Sequence, residues 1–339
     1  MRASLGLLGA VMLAGCATSY EGGTAPSGPD GALFVAGKFG NTLARIDLAT
    51  GRETARVETC ANPHELAVSP DGRHVALACY GGAGIAIFRT DDLTQAGYVG
   101  LGEGARPHGI VWHRDGNIYA TAEGRRSIYR VTGPVTATPQ TFEFATGKLG
   151  SHMLAVAPDG RHAWTTDLGS KTVTLVDLVT RRAPRSVEVG IEPEGIALSP
   201  DGRSLWVSAR GSDKAFALDP MTLEIRREVA VGDFPLRIAV RPQGDVAVTS
   251  DLGDAALSVI DTATGTRTRT IALDDRANAA SRQQVTILWS PDGQRIYVAE
   301  TGSDTVAEVD YASGKVLRRF TGGDGGDGLA ILSVGRDGS

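Results

Sequence analysis

Residues 194–231 read EGIALSPDGRSLWVSARGSDKAFALDPMTLEIRREVAV, and they decide the fold. Residues 194–199 (EGIALS) form a short apolar strand. Pro200-Asp201-Gly202 is a tight turn, because glycine tolerates the positive φ that such hairpins need. Residues 204–208 (SLWVS) return as a second strand. Gly211 turns the chain again, residues 214–218 alternate into a third strand, and Asp219-Pro220 leads to a fourth at 225–231. Four short strands joined by tight turns make one antiparallel sheet.

The same anatomy recurs along the chain. The residues preceding the turn glycine are Asp30, Asp71, Asp115, Asp159, Asp201, Gln243, Asp292 and Asp337, at steps of 41, 44, 44, 42, 42, 49 and 45. Eight turns bound seven repeats, and none contains convincing helical periodicity over three turns. Four-stranded repeats of this length predict an all-β, seven-bladed β-propeller. Composition agrees: 44 glycines serve the turns, and 42% hydrophobic residues are enough for a core. The first repeat has strands only at 33–37, 43–47 and 52–58. The C-terminus has a surplus strand at 328–335 with its own Asp337-Gly338 turn. Three strands from the start and one from the end complete the last blade and remove the open sheet edges. Trp112 and Trp289 share one place in their first strands, and Trp164 and Trp206 share one in their second, so all four read as packing residues.

Several phrases carry a family resemblance: Ile196-Ala-Leu-Ser-Pro-Asp-Gly, Arg295-Ile-Tyr-Val-Ala-Glu, and Val309-Asp310 with Gly314-Lys-Val. These resemble YVTN-type β-propeller repeats across residues 30–338. The resemblance implies seven blades and an extracytoplasmic setting, but no single activity, since such propellers include binders, scaffolds, lactonases and lyases. The N-terminus has Arg2, an apolar run at residues 5–12 too short for a permanent membrane span, and Leu13-Ala14-Gly15-Cys16. That tetrapeptide resembles the lipobox of bacterial lipoproteins, which implies cleavage before Cys16 and lipid on its thiol. Ala17 then implies the outer membrane rather than the inner one. The expected organisation is a signal peptide at 1–15, a lipidated flexible tether at 16–29, rich in small and polar residues, and a propeller at 30–339. The expected place is the cell envelope, with membrane contact through the Cys16 lipid alone. A net charge of −5 without a Lys/Arg block gives no support for nucleic-acid binding. The expected state is a monomer. Cys60 and Cys79 allow one disulfide in an oxidising compartment. Hairpin counting sets His64 opposite Cys79, so the loop carrying Cys60 must curl back for the bond to form.

First strands line a propeller's channel, so residues at equal distance from each turn share a place in the ring. Seven residues before it stand His64, His108, His152, Glu194, Leu236, Val285 and Ala330. Half of the six histidines occupy this one position. Eight residues after it stand Lys38, Cys79, Glu123, Asp167, Ala209, Asp251 and Glu300. Counting across the hairpins pairs His108 with Glu123 and His152 with Asp167, with Arg210 and Arg237 alongside. The expected ligand-binding mouth is therefore His64, His108, Glu123, His152, Asp167, Glu194, Arg210, Arg237 and Glu300, facing a small molecule or a protein. Imidazole and carboxylate are the donors that hold zinc and similar divalent ions, so His64, His108, His152 and Glu194 are the candidate metal ligands, and Glu123 or Asp167 the candidate catalytic base. Three readings stay open: histidines that bond neighbouring blades, a polar ligand funnel, or a metal-dependent hydrolase or lyase of lactonase type. Gly322–Ala330 matches one copy of a calcium nonapeptide whose sites need stacked copies, in a loop the closing strand requires. His74, His113 and His162 read as surface residues on the opposite face.

Overall fold

A computed structural model describes residues 29–333. The lipobox, the tether up to residue 28 and the Asp337-Gly338 turn lie outside the described residues. Seven four-stranded antiparallel sheets surround a common axis. Blades 1 to 6 span residues 63–100, 107–145, 151–188, 193–230, 235–272 and 284–321. Blade 7 joins Gly326–Ser333 to three N-terminal strands, Gly31–Gly37, Thr42–Asp47 and Arg52–Glu58. In blade 4 the strands are Pro193–Leu198, Leu205–Ala209, Lys214–Leu218 and Ile225–Ala230. First strands of successive blades touch in a closed ring and line the channel.

The core lies between blades rather than at the axis. Trp164, Val173 and Leu175 of blade 3 pack against Ile196, Val207 and Phe216 of blade 4, and equivalent wedges recur around the ring. Trp164 and Trp206 are fully buried, and Trp112 is partly buried against its wedge. Outermost strands such as RETARVE (Arg52–Glu58) and IRREVA (Ile225–Ala230) are mostly exposed. Their charges keep those edges from pairing with other chains. The 49-residue step accommodates a short helical excursion, Arg276–Asn278 and Ala279–Arg282.

The Cys60–Cys79 disulfide is present, with Cα atoms 5.6 Å apart. A bulge makes Pro63, not His64, the residue paired with Cys79. The closing strand differs from expectation. It begins at Gly326 and pairs Gly326 with Gly37, Leu329 with Val35 and Ile331 with Leu33. Counting back from Asp337 therefore misassigns blade 7. In this register Asp327, not Ala330, takes the place that His64 holds in blade 1, and Ala330 is a core residue. His113 is buried and faces Asp115 at 3.1 Å, so it is not a surface residue.

Candidate functional site

Each first strand carries a β-bulge at the same height. Pro63 pairs with Cys79, Pro107 with Ala122, Ser151 with Asp167, Pro193 with Ala209, Pro235 with Asp251, Gln284 with Glu300 and Gly326 with Gly37, after which the register shifts. The next residue falls inside the bulge: His64, His108, His152, Glu194, Leu236, Val285 or Asp327. A bulge re-aims side chains beside the interrupted ladder, and here it gathers these residues at the channel mouth.

Hydroxyl groups fix the bulges. Thr121 Oγ1 accepts the Gly109 amide at 2.9 Å and donates to the His152 carbonyl of the next blade at 2.6 Å. Thr166 bridges the Met153 amide and the Glu194 carbonyl at 3.3 and 2.6 Å. Ser208 and Ser250 repeat the bridge towards Leu236 and Val285. The backbone under His152 and Glu194 is thus held by the preceding blade.

The mouth side chains form one continuous arc. Asp327 Oδ2 lies 3.5 Å from Lys38 Nζ and 2.8 Å from His64 Nδ1, and His64 Nε2 lies 2.9 Å from Asn62 Oδ1. The His64 and His108 rings are 4.5 Å apart, and those of His108 and His152 are 3.7 Å apart. His152 Nδ1 bonds Glu123, and its Nε2 is 3.4 Å from Glu194. Glu194 accepts from Arg210 and Arg237, each at 2.5 Å. Arg237 also spans the channel to Glu65 at 2.9 Å and closes the cup beneath the histidines.

Several expected members are elsewhere. Asp167 accepts hydroxyl hydrogen bonds from Ser151, Thr165, Thr172 and Thr174, inside its own blade. Glu300 is held by Thr305 and Arg319. Both occupy ladder positions, and side chains alternate faces along a strand, so a slip of one residue reverses direction. Glu123 escapes because the blade 2 hairpin is one residue shorter: the His113 amide reaches Asn117, whereas in blade 4 Ser199 reaches Ser204. Ala122 takes the ladder position, and Glu123 opens the turn that follows, as Arg210 does in blade 4. Counting missed this shift, together with Asp327, Glu65, Asn62 and Tyr80. Tyr80 stands one place after Cys79, the equivalent of Glu123, and donates to Glu123 Oε2 at 2.9 Å.

Burial sets the charge states. His108 is 2% exposed, and its pKa falls well below the usual imidazole range through burial, with His152, His64 and Arg237 adding to the shift. Burial also opposes charge on His152, but Glu123 and Glu194 outweigh it and raise its pKa. Burial works against charge on Glu194 as well, yet His152 and Arg237 hold its pKa down at about 2. His152 and Tyr80 similarly lower Glu123 against its burial.

Donor atoms of His108, Glu123 and His152 lie within 4.8 Å of one another. One ion with ligands at about 2.1 Å reaches that span after sub-ångström adjustment. The His108 Nδ1 and His152 Nε2 atoms are buried without a hydrogen-bond partner. Two imidazoles and an ionised carboxylate suit zinc and similar divalent ions. Glu194 Oε1 lies 3.4 Å from the same His152 Nε2 and adds negative charge beside the set. His64 lies next to this set and faces Asp327 instead.

No protein-family model matches the chain, and no curated protein matches it. Solved structures do. The Pseudomonas aeruginosa periplasmic gluconolactonase is 18% identical, with a TM-score of 0.71 over 90% of this chain and 99% of that one. A catalytically inactive virginiamycin B lyase from Staphylococcus aureus, solved with quinupristin, is 17% identical, with a TM-score of 0.66 over 81% and 92%. Kuenenia stuttgartiensis hydrazine synthase is 16% identical, with a TM-score of 0.71 over 87% and 99%. Fold and mouth together define the class: a seven-bladed propeller with a buried histidine–carboxylate cluster at one end of its channel. The likeness to the lactonase and the lyase is one of architecture.

Proposed function

We propose that this protein is a cell-envelope propeller that binds a divalent metal ion and a small ligand at its channel mouth and carries out hydrolase or lyase chemistry there. The convergence of His108, Glu123 and His152 carries the reading. When bound, the ion would supply Lewis-acid polarisation of a ligand oxygen. The chain's own residues do the rest. His108 and His152 donate neutral imidazole nitrogens, and Glu123 adds charge. Glu194 adds negative charge beside His152, and Arg237 keeps Glu194 ionised. His64 is held beside the cluster by Asp327 and Asn62. The lactonase and the lyase among the similar propellers support that class. A binding role without chemistry uses the same mouth, and the existing pairing of Glu194 and Asp327 with cations favours it.

Pro29 and Asp30 border a cleft of about 390 Å³ beside Pro291 and Asp292, at the turns opposite the mouth. Cys16→Ser should release the protein from membranes, and retention of an unacylated chain would count against anchoring.

The test of the site is ligand-linked stability. Saturation at a thousand times the dissociation constant adds about 4 kcal/mol. Zinc or manganese should raise the melting midpoint, chelator should reverse the rise, and His108→Ala should abolish it. A midpoint unmoved by zinc, nickel, manganese, magnesium and calcium would remove the metal from the account. Metal uptake without turnover of lactones or esters would leave the binding role.

A further inference from the structure

Five rim residues, one position before the ladder pair in each blade, adopt left-handed backbone: Asn62 (φ 49°), Arg106 (φ 50°), Glu192 (φ 53°), Phe234 (φ 56°) and Gln283 (φ 48°). Left-handed backbone is uncommon for such residues. Here it is built into the turn that enters each first strand. Asn62 bonds His64, Glu192 bonds Arg210, and Phe234 lies under the Arg210 guanidinium at 5.2 Å. In blades 3 and 7 the same position is glycine, Gly150 (φ 68°) and Gly325 (φ 67°); Phe39 packs against Gly325, which leaves blade 3 without a rim side chain two residues before His152. The exposed Leu149 flanks that gap.

Arg106 stands on the neighbouring blade. Its guanidinium stacks on the Tyr80 ring at 4.5 Å and donates to the Tyr80 hydroxyl, which in turn donates to Glu123. The cations within the cluster itself are committed: Lys38 to Asp327, Arg210 to Glu192 and Glu194, and Arg237 to Glu65 and Glu194. Among the described residues, Arg106 forms no ion pair and is exposed to solvent. A cation oriented by an aromatic ring beside a candidate metal centre, with no ion pair of its own, is a recognition group for an anion.

We infer that the mouth takes a small carboxylate-bearing molecule that enters over Gly150, with its carboxylate on Arg106 and its neighbouring oxygen at the His108–Glu123–His152 centre. This deepens the proposed function and rests on it. A planar carboxylate matches the guanidinium fork. The nearby Glu123, Glu194, Glu65 and Asp327 make a doubly charged phosphate the poorer occupant.

Glycolate, a 2-hydroxycarboxylate, is the probe, and neutral glycolamide is the control. Metal affinity is measured first in each variant by calorimetry, and then glycolate is titrated into the manganese-loaded protein. Native protein should bind glycolate at least tenfold more tightly than glycolamide. Arg106→Gln should lose at least tenfold for glycolate with metal affinity changed less than threefold, and Arg106→Lys should fall between. Equal glycolate affinity in native and Arg106→Gln protein, or no preference over glycolamide, overturns the inference and leaves the metal centre standing. If no metal binds, the function reading falls, and glycolate is titrated into metal-free protein. Arg106-dependent binding then supports the carboxylate site, and its absence overturns it.

Discussion

The smallest devices here are hydroxyl groups. Thr121 is buried, accepts from the Gly109 amide and donates to the His152 carbonyl, so it ties blade 2 to the backbone of a candidate metal ligand in blade 3. Thr121→Val keeps the shape and strands both backbone groups. It should cost about 1–3 kcal/mol in denaturant unfolding and weaken metal binding, whereas the same loss of stability with metal affinity intact would show that the bridge only packs. Glu194 makes the acid side of stability visible. Its pKa is lowered from 4.5 to about 2 in the folded state. The stabilisation this brings is fully present above pH 4.5 and drains as pH falls towards 2. Glu194→Gln lacks that component, so the stability gap between native and variant proteins should narrow as pH drops from 5 to 2.5. A constant gap would mean that Glu194 is not held ionised by Arg237 and His152.

At the scale of elements, strand number, the Asp-Gly hairpins and the late closing strand were all legible in the sequence, because turn glycines and period-two apolar runs report local backbone directly. The histidines of the mouth were legible too, since equivalent repeat positions share a place in space. What the spacing did not disclose was hairpin length. One residue fewer around Asp115 carries Glu123 into the mouth, while Asp167, at the same count in blade 3, stays inside its sheet. Nor could counting from Asp337 find Asp327, because the closing strand meets the chain start without a hairpin and its register is set by pairing with Gly31–Gly37. That strand is essential to the ring. It buries Asp327 against His64 and Leu329 in the wedge with Leu33 and Val35. Losing a buried leucine alone costs about 2–5 kcal/mol, so truncation after Gly323 should aggregate or melt far below the native midpoint. A truncated chain with an unchanged midpoint would contradict closure by this strand.

Across the whole molecule, the ring turns seven near-equivalent sheets into one asymmetric mouth. Asp327, His64, His108, His152 and Glu194 occupy five consecutive blades, while Leu236 and Val285 fill the same position in the other two. Pro29 and Asp30 lie at the end of the channel opposite the mouth. The histidines must be neutral to coordinate, and Glu123 and Glu194 raise the pKa of His152. Protons therefore compete with the ion from above pH 6.5 downward, and metal affinity should fall as pH falls through that range. The most direct test of the metal centre is anomalous scattering from crystals of the protein soaked in manganese at neutral pH. One strong peak is expected within about 2.0–2.5 Å of donor atoms from His108, His152 and Glu123, lost in His108→Ala crystals; no peak at the mouth, or a peak bound only by other residues, would rule the centre out.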